Sequence, residues 1–498
     1  MGIYFNKKRE DLLFWGCMLA ISTGSFWIWK FINTNLGIDG YLNVDDLASI
    51  QFALEGNNLF EKLYGVIQND PTNVPLFYIL LYFWMRLFGF QPVMIRILPE
   101  IFAALFIVVM GMIGRKAFHA KLGIIAAILC AVSIQLLYAS FQIRAYSLLM
   151  LCSGVLFLVW LYREENKYAF LLMEAALLLV SFSHFFGVLV CGAFGSWEII
   201  CCVSEKKTKK FLLPYVIYVF LFGPYVLLAY TNAGKIWGTF WTPVPNYLDF
   251  FEMMESLCAA KNVGFFVLIC MFYIRIFVWR NTKEKNKNCG SDHTIWVCFW
   301  VIFSVLMVGF VYSRYISPTR SVWVFRYFLV LFPFVLCILA YGIVYFWQWM
   351  KNILHLNQVM CAAIPLAFAC FYFYQNIEYA LVHGDEINTG GSDYAAISDY
   401  LSSQEDINDK HTLVIFPYPK PYFAGWIGFY TQGGRLELPN IYCTNDWMNG
   451  DLDQYDNIYT IEVVYDLTEQ ESSYIKNTHQ LTEANGNSLA KVNKYSRK

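Results

Sequence analysis

Long runs of apolar residues fill the first three quarters of the chain and set its architecture. A run of about 17–22 apolar residues is long enough to cross a bilayer as a helix. The runs close to this length lie at residues 12–33, 93–114, 122–138, 147–162, 168–182, 185–203, 211–230, 263–279, 294–312, 328–349 and 358–376. The pattern predicts an α-helical polytopic membrane protein with about 11 transmembrane helices, which form a transmembrane domain over residues 1–376.

The tail, residues 377–498, is polar and has a different pattern. Strand-like runs at Thr412–Phe416, Ile458–Val464 and Ala490–Asn493 follow a helix-like run at Tyr394–Leu401. Strands mixed with helices over about 120 residues predict a small C-terminal α/β domain. An odd number of membrane crossings places this domain on the side opposite the N-terminus.

One apolar segment, Pro75–Phe90, decides on which side of the membrane each later loop lies. As a helix it is about 24 Å long, shorter than the apolar core of a bilayer. If it does not cross, the loops on the N-terminal side carry roughly twice as many Lys and Arg residues as the opposite loops, in less than half the length. Basic loops are cytoplasmic, so we expect a cytoplasmic N-terminus and an extracytoplasmic C-terminal domain. Pro75–Phe90 is then an interfacial helix of the first outer loop, residues 34–92.

The composition supports this class of protein and excludes others. Hydrophobic residues make up 58% and charged residues 15% of the chain, against about 25% charged residues in soluble domains. This excludes a single soluble globule and a disordered chain. The net charge of -1 offers no basic field for nucleic acid. The 14 cysteines lie mostly in apolar runs without zinc-site spacing, so no disulfide framework is expected.

Two adjacent carboxylates in the first outer loop are the first candidates for chemistry. Asp45 and Asp46 begin a helical pattern, for which Asn43 is a plausible N-cap. Acidic residues in a first helical turn are common, because they face the positive end of the helix dipole. The functional interpretation is a carboxylate at the outer surface that binds a metal or takes a proton from a hydroxyl.

Three arginines and a histidine in or near the predicted spans are the other candidates. Arg96 and Glu100 lie one helical turn apart, so a structural ion pair between them competes with anion binding by Arg96. Arg144, preceded by Gln142, and Arg326 lie where outer loops enter spans, where guanidinium groups either reach the interface or hold phosphate. His184 lies in a tight outer turn, where a structural hydrogen bond is more common than a ligand or catalytic role.

The order and sidedness of these residues resemble the GT-C superfamily of lipid-phosphate-sugar glycosyltransferases. Over about residues 12–350 the chain is similar to the branch of protein O-mannosyltransferases and lipid A aminoarabinose transferases. The matching segments are Val44-Asp45-Asp46, Asn73-Val74-Pro75-Leu76-Phe77-Tyr78 with Leu87-Phe88-Gly89, Met94-Ile95-Arg96-Ile97, Gln142-Ile143-Arg144-Ala145-Tyr146 and Phe325-Arg326-Tyr327. The chain departs from the family at Asn73-Val74, where His or Lys followed by Pro is usual.

The resemblance implies a membrane glycosyltransferase with a polyprenyl-phosphate-sugar donor. The leaving group is then a phosphate, which needs positive charge rather than a proton, so a base and arginines suffice. The resemblance assigns Asp45 as the base of an inverting displacement. It implies that Asp46 orients the acceptor or helps to hold a metal. Arg144, Arg326, Arg96 and Tyr146 are the implied lipid-phosphate ligands. His184, Asn73 and Gln142 are further site residues, and any divalent metal cofactor would be held by Asp45 and Asp46.

Two matters stay open at the level of the sequence. A lipid-linked sugar transporter or flippase would also be apolar with charges in its spans, although transporters usually show internal repeats and midplane ions. The sugar and the acceptor (glycan, lipid or protein) are not determined. The chain has no Asn-x-Ser/Thr sequon, which favours the plasma membrane of a bacterial cell as its location.

Overall fold

The structure is a computed structural model that describes residues 2–35, 44–54, 74–204, 209–236, 242–258, 289–354, 400–416, 445–463, 467–486 and 490–498, with a few shorter stretches. The predicted span 263–279 and most of 358–376 lie outside these residues. The contacts divide the chain into two units, Met1–Ile32 with Glu55–Gly384 and Asn33–Leu54 with Asp385–Lys498. This boundary lies eight residues beyond the one predicted after 376, and the grouping of Asn33–Leu54 with the tail is not part of the prediction.

The first unit consists of apolar helices. They are α1 (Gly2–Asn35), α3 (Leu76–Phe88), α4 (Pro92–Ala117), α5 (Ala120–Ala131), α6 (Ile134–Phe141), α7 (Tyr146–Tyr162), α8 (Ala169–Ser183), α9 (Phe186–Ser204), α10 (Leu213–Ile236), α11 (Tyr247–Leu257), α12 (Cys289–Val311) and α13 (Phe332–Leu354). A π-helical turn, Tyr312–Ile316, and a 3₁₀ segment, Phe325–Leu331, join α12 to α13. Apart from the two spans named above, every predicted span overlaps at least one of these helices.

Six helical stretches among the described residues are long and apolar enough to cross a membrane, and α5 and α6 form a seventh if their 57° bend is taken as one broken span. The multi-pass membrane class is therefore confirmed, whereas the count of 11 stays a prediction. Helices α7 and α8 have 17 and 15 residues, which is short for a crossing.

Helices α1 and α4 are antiparallel, and three pairs of contacts fix their register. Asp11 pairs with Arg115 at one end, and Lys30 Nζ lies 3.3 Å from Glu100 Oε1 at the other. Between them, Ser22 Oγ donates to the carbonyl oxygen of Ala104 at 2.9 Å. The chain therefore returns from the end of α1 to the start of α4 without a net crossing. This is the arrangement that the prediction for Pro75–Phe90 requires, and α3 forms most of that segment.

The first three of the basic loops that the sequence assigns to one side lie at one end of these helices. Lys116, at the end of α4, pairs with Glu165 in the turn between α7 and α8. Arg115 pairs with the start of α1, so the first three basic loops share an end of the first unit. The opposite ends of the same helices carry Arg144, His184 and the start of α4.

The second unit contains α2 (Val44–Leu54), a C-terminal helix α14 (Glu469–Thr478) and a five-stranded sheet. The strands are β1 (Thr412–Ile415), β2 (Ile441–Tyr442), β3 (Asn457–Val463), β4 (His479–Gly486) and β5 (Ala490–Arg497), in the order β2-β1-β3-β5-β4. Strand β1 is parallel to β2 and β3, while β5 is antiparallel to β3 and β4. The buried core of the domain includes Leu413, Ile415, Trp447, Ile458, Ile475 and Tyr495.

This sheet confirms the predicted α/β character of the tail. The three predicted strand-like runs correspond to β1, β3 and β5. The sequence pattern misses β4, because all but its first residue are exposed and no polar–apolar alternation marks it.

The antiparallel register predicts which engineered cysteines share a side of the membrane. In a background without native cysteines, we expect Glu10→Cys and Glu165→Cys to react with an impermeant thiol reagent only after permeabilisation. Gln91→Cys, in the exposed turn between α3 and α4, should react in intact cells. Labelling of Glu10→Cys and Glu165→Cys from opposite sides would contradict the register, since it would require Pro75–Phe90 to cross.

Candidate functional site

The segment around Arg144 interrupts two helices at one end of the first unit. Helix α6 ends at Phe141, Gln142 is extended, and α7 begins at Tyr146. Gln142 is buried and Arg144 half-buried. Gln142 Oε1 and the hydroxyl of Ser147 are both buried, and neither makes a hydrogen bond to a described residue. Irregular backbone at such a position is typical of a segment that lines a cavity rather than one that faces lipid.

The turn between α8 and α9 places His184 against this segment. His184 is extended, and its carbonyl oxygen accepts from the Gly187 N–H at 2.8 Å. Its Nδ1 accepts from the Phe186 N–H at 3.2 Å. A Cβ atom at Gly187 would overlap the carbonyl oxygen of Val180. The turn therefore depends on a residue without a side chain, and the position of His184 depends on the turn.

Aromatic contacts bring the late arginine segment to the same place. The ring of His184 lies 5.0 Å from that of Tyr327 and 6.2 Å from that of Tyr146, measured between centroids. Phe186 packs against Tyr327 at 5.4 Å. Tyr327 is in the 3₁₀ segment directly after Arg326, and Tyr146 is two residues after Arg144. Three segments far apart in sequence therefore meet at His184.

The charges around His184 show the same convergence. Burial, together with the nearby positive charges of Arg144 and Arg326, lowers the pKa of His184 from 6.5 to about 3, and burial is the largest cause. A histidine with this pKa is neutral at physiological pH. We call Arg144, Tyr146, His184, Arg326 and Tyr327 the arginine cluster.

Arg96 has a supporting position next to this cluster. It is 1% exposed, donates to the carbonyl oxygen of Phe141 and lies over the Phe141 ring at 4.3 Å. A cation at a carbonyl of a helix C-terminus is favourable because it satisfies an acceptor that the helix leaves open. The structure thus gives Arg96 and Glu100 partners other than each other, since Glu100 pairs with Lys30 of another helix.

The two aspartates lie in the first turn of α2, as predicted. Asp46 is completely buried, whereas Asp45 is half-buried. Of the two, Asp45 has the carboxylate that another molecule can reach more easily. Asn43 and Asn73 lie outside the residues that the structure describes.

A second cluster of polar side chains lies at the far ends of α7 and α9. The sequence analysis does not predict it. Glu198 Oε1 accepts from Trp160 Nε1 at 2.6 Å and lies 3.1 Å from Arg163 Nε. The Arg163 guanidinium also lies over the Trp160 ring at 3.8 Å. An acidic residue inside an apolar run is the signal that could have identified Glu198.

A metal centre is not evident in the part of the chain that the structure describes. No three His, Cys, Asp or Glu side chains there are grouped as metal ligands. Structural and catalytic zinc sites use at least three protein ligands. The aspartate pair of α2 offers only two, so the geometry of the described residues does not assign a metal to it.

Comparisons with known proteins identify the fold. No protein-family model and no curated protein match the chain. Two crystal structures of ArnT from Cupriavidus metallidurans are similar to it. The apo structure has a TM-score of 0.60 at 11% identity and covers 98% of each chain. The structure bound to undecaprenyl phosphate has a TM-score of 0.56 at 12% identity and covers 97% of each.

ArnT is a lipid A aminoarabinose transferase of the GT-C superfamily. At this level of identity the similarity establishes the fold, and it extends over nearly the whole length of both chains. The chain therefore shares the fold of the ArnT structures and has a small C-terminal sheet domain, and the resemblance predicted from the sequence is confirmed at the level of the fold.

The tight turn at His184 predicts that one methyl group added at Gly187 lowers the stability of the protein. We expect Gly187→Ala to destabilise the protein by about 1–3 kcal/mol, because the added Cβ overlaps the Val180 carbonyl oxygen. Gly192→Ala in the same helix is the matched control, since its Cβ would meet no atom within 4 Å. Thermal unfolding in detergent measures the difference, and equal midpoints for the two variants would contradict the packing described here.

Proposed function

We propose that the protein is a membrane glycosyltransferase that moves a sugar from a polyprenyl-phosphate carrier to a hydroxyl group of an acceptor. The observation that carries this proposal is the arginine cluster, in which two guanidinium groups and a neutral histidine meet at one end of the helices. Guanidinium groups bind phosphate oxygens through charge-assisted hydrogen bonds. A crystal structure with the same fold holds undecaprenyl phosphate, which agrees with a lipid phosphate as the ligand.

The proposed reaction is a single displacement at the anomeric carbon. The acceptor oxygen forms the new bond to that carbon while the bond from the carbon to the phosphate oxygen breaks. The polyprenyl phosphate leaves with the electron pair, and Arg144 and Arg326 stabilise the negative charge that develops on it. No general acid is required for a phosphate leaving group, in contrast to glycoside hydrolysis. The configuration of the sugar is inverted.

Asp45 is the proposed base that takes the proton from the acceptor hydroxyl. Its greater exposure than that of Asp46 supports this choice, because a base must reach the proton that it removes. Asp46, buried beside it in the same helical turn, is proposed to orient Asp45. If a divalent metal is bound, these two carboxylates are the candidate ligands, but no step of the proposal depends on it.

Arg96 is proposed to act indirectly. Its guanidinium group holds the Phe141 carbonyl oxygen and covers the Phe141 ring, and it is almost completely buried. These contacts fix the end of α6, three residues before Arg144. Arg96 is therefore better suited to position the Arg144 segment than to take up the donor phosphate itself.

The proposed location is the cell membrane, with a cytoplasmic N-terminus and an extracytoplasmic C-terminal domain. The shared end of the basic loops supports this orientation. The acceptor then lies on the outer side, where lipid-linked rather than nucleotide-linked sugars are available. Mass spectrometry of envelope glycolipids and glycoproteins, with and without the protein, would identify the sugar and the acceptor class.

A lipid-linked sugar transporter is a second candidate that one observation favours. Glu174 is buried in α8, and neither of its carboxylate oxygens makes a hydrogen bond to a described residue. An acid in such a position is a frequent feature of transport pathways. This candidate predicts that the lipid-linked sugar accumulates on the cytoplasmic side when the protein is absent, with translocation rather than transfer as the lost step.

The proposed base predicts a loss of transfer without a loss of donor binding. We expect Asp45→Asn to lower the transfer rate by about 10²–10⁴-fold, since the amide cannot accept the proton. Glu469→Gln is the matched control, because Glu469 is also a first-turn helical acid and loses the same dipole interaction. The measurement is sugar transfer in vesicles from cells that express each variant. Unchanged transfer by Asp45→Asn would exclude this residue as the base.

The proposed phosphate site predicts a loss of donor binding. We expect Arg144→Ala to weaken binding of farnesyl methyl phosphate by about 10–100-fold, because a hydrogen-bonded charge partner is removed. Arg86→Ala, an exposed arginine of α3, should bind as the unmodified protein does. Calorimetry in detergent measures the affinities. Equal affinities for the two variants would show that Arg144 does not bind the lipid phosphate, and the proposed function would lose its main support.

A further inference from the structure

Helix α11 packs against the rest of the first unit through one stripe of side chains. The ring of Phe250 stacks on that of Trp323 at 6.0 Å between centroids. Trp323 in turn contacts Phe328 of the 3₁₀ segment at 4.8 Å. Met253 and Leu257 are buried on the same side of α11, one and two helical turns after Phe250. The stripe therefore fixes α11 at the end of the first unit that carries the arginine cluster.

The neighbouring side of α11 is apolar but exposed. Leu248 is 70% and Phe251 56% exposed, and Tyr247 lies one turn before Phe251 on this side. The polar residues Glu252 and Ser256 are exposed on a third side. A helix with one side on protein, one apolar exposed side and one polar side is typical of the boundary between lipid and water.

Arg314 places one positive charge beside the apolar exposed side. Its Nη1 donates to the carbonyl oxygen of Pro245 at 2.7 Å. Its guanidinium group lies 4.5 Å from the ring centroid of Tyr247 and 5.7 Å from that of Tyr315. Arg314 and Tyr315 belong to the π-helical turn after α12. These contacts therefore hold that turn against the start of α11.

The positive charge of Arg314 is not paired with a carboxylate among the described residues. The groups that act on it are the phenols of Tyr247 and Tyr315. Asp249, an acidic residue in the first turn of α11, is engaged in the capping box, where it accepts from the Asn246 N–H at 2.7 Å. A guanidinium group has five N–H donors and no acceptor. Arg314 therefore has donors left for an oxyanion from outside the chain.

The two tyrosines add one further donor at the same place. The hydroxyl oxygens of Tyr247 and Tyr315 lie 2.6 Å apart. One hydroxyl donates to the other, so the hydrogen of the second is left for an external acceptor. Both side chains are more than half exposed. Tyrosines at a membrane surface place the ring among apolar groups and the hydroxyl at the level of the lipid headgroups.

We propose that Arg314, Tyr247 and Tyr315 bind the phosphate group of a bilayer phospholipid, whose acyl chains lie against Leu248 and Phe251. A free phosphate would leave the apolar side uncovered, and an apolar molecule would leave Arg314 without an anion. Helix α11 contains three acidic residues and no basic one, so a phospholipid without net charge fits better than an anionic one. This site shares no residue with the arginine cluster and does not depend on the proposed transfer reaction.

The test measures lipid binding at one position of the full-length protein. In a background without native cysteines, Leu248→Cys is labelled with bimane in maltoside micelles, which contain no phosphate. The probes are phosphatidylcholine with brominated acyl chains and, as the matched lipid without phosphate, brominated diacylglycerol. We expect half-maximal quenching at about 10-fold lower mole fraction for phosphatidylcholine, because its phosphate accepts hydrogen bonds from a charged donor. The same label at Phe303→Cys, an exposed position within α12, should be quenched equally by both lipids.

Further substitutions, made in the protein labelled at position 248, assign this difference to the proposed donors. Arg314→Gln should abolish the difference between the two lipids, whereas Arg86→Gln, at an exposed arginine of α3, should leave it unchanged. The double variant Tyr247→Phe/Tyr315→Phe retains the hydrogen bond from Arg314 to Pro245 and removes the phenol donor. It should need an about 2–10-fold higher mole fraction of phosphatidylcholine. Thermal unfolding in the same detergent shows whether folded proteins are being compared.

Three results would overturn the inference. The first is equal quenching by the two lipids at position 248, and the second is an unchanged difference in Arg314→Gln. If Arg314→Gln does not fold, the tyrosine double variant decides alone, and unchanged binding there has the same meaning. The third concerns the source of the phosphate. Farnesyl methyl phosphate should not displace the brominated phospholipid, and displacement would show that the site takes the carrier lipid instead.

Discussion

The antiparallel register of α1 and α4 is the constraint on which the rest of the first unit depends. The ion pairs Asp11–Arg115 and Lys30–Glu100 hold the two helices at both ends. With this register, the first basic loops share one end, and the irregular segments with Arg144 and His184 share the other. If Pro75–Phe90 crossed the membrane as well, the basic loops would lie on both sides, which would conflict with the charge asymmetry of the whole chain.

The arginine cluster combines two cationic side chains with a buried imidazole ring. Burial and the two nearby guanidinium groups lower the pKa of His184, so the neutral ring is favoured. The aromatic rings of Tyr146, Tyr327 and Phe186 surround the imidazole and exclude water, which strengthens each of these electrostatic effects. The aromatic contacts and the two guanidinium groups therefore act together to keep His184 neutral.

Local features of the sequence predict the spans, three of the five strands and the aspartates at the start of α2. These features depend on residues that are close together in the sequence, so the local pattern of polar and apolar residues is sufficient to predict them. The partners of Glu100, Arg96 and Glu198 come from other helices, and spacing along one helix cannot identify them. Spacing along α4 therefore does not reveal that Arg96 contacts Phe141 and that Glu100 contacts Lys30. Strand β4 escapes prediction for a different reason, because its exposed residues carry no alternating pattern.

Helices α7 and α9 connect the two polar groups of the first unit. Each begins at the arginine cluster, with Tyr146 and Phe186 as first residues, and their far ends are joined through Trp160, Arg163 and Glu198. The positive ends of two helix dipoles thus lie at the cluster, which adds to its preference for an anion. The buried network at the other ends fixes the two helices relative to each other. Since a binding site requires its groups to be held within about 0.5 Å, this network contributes to the geometry of the cluster from the opposite end of the helices.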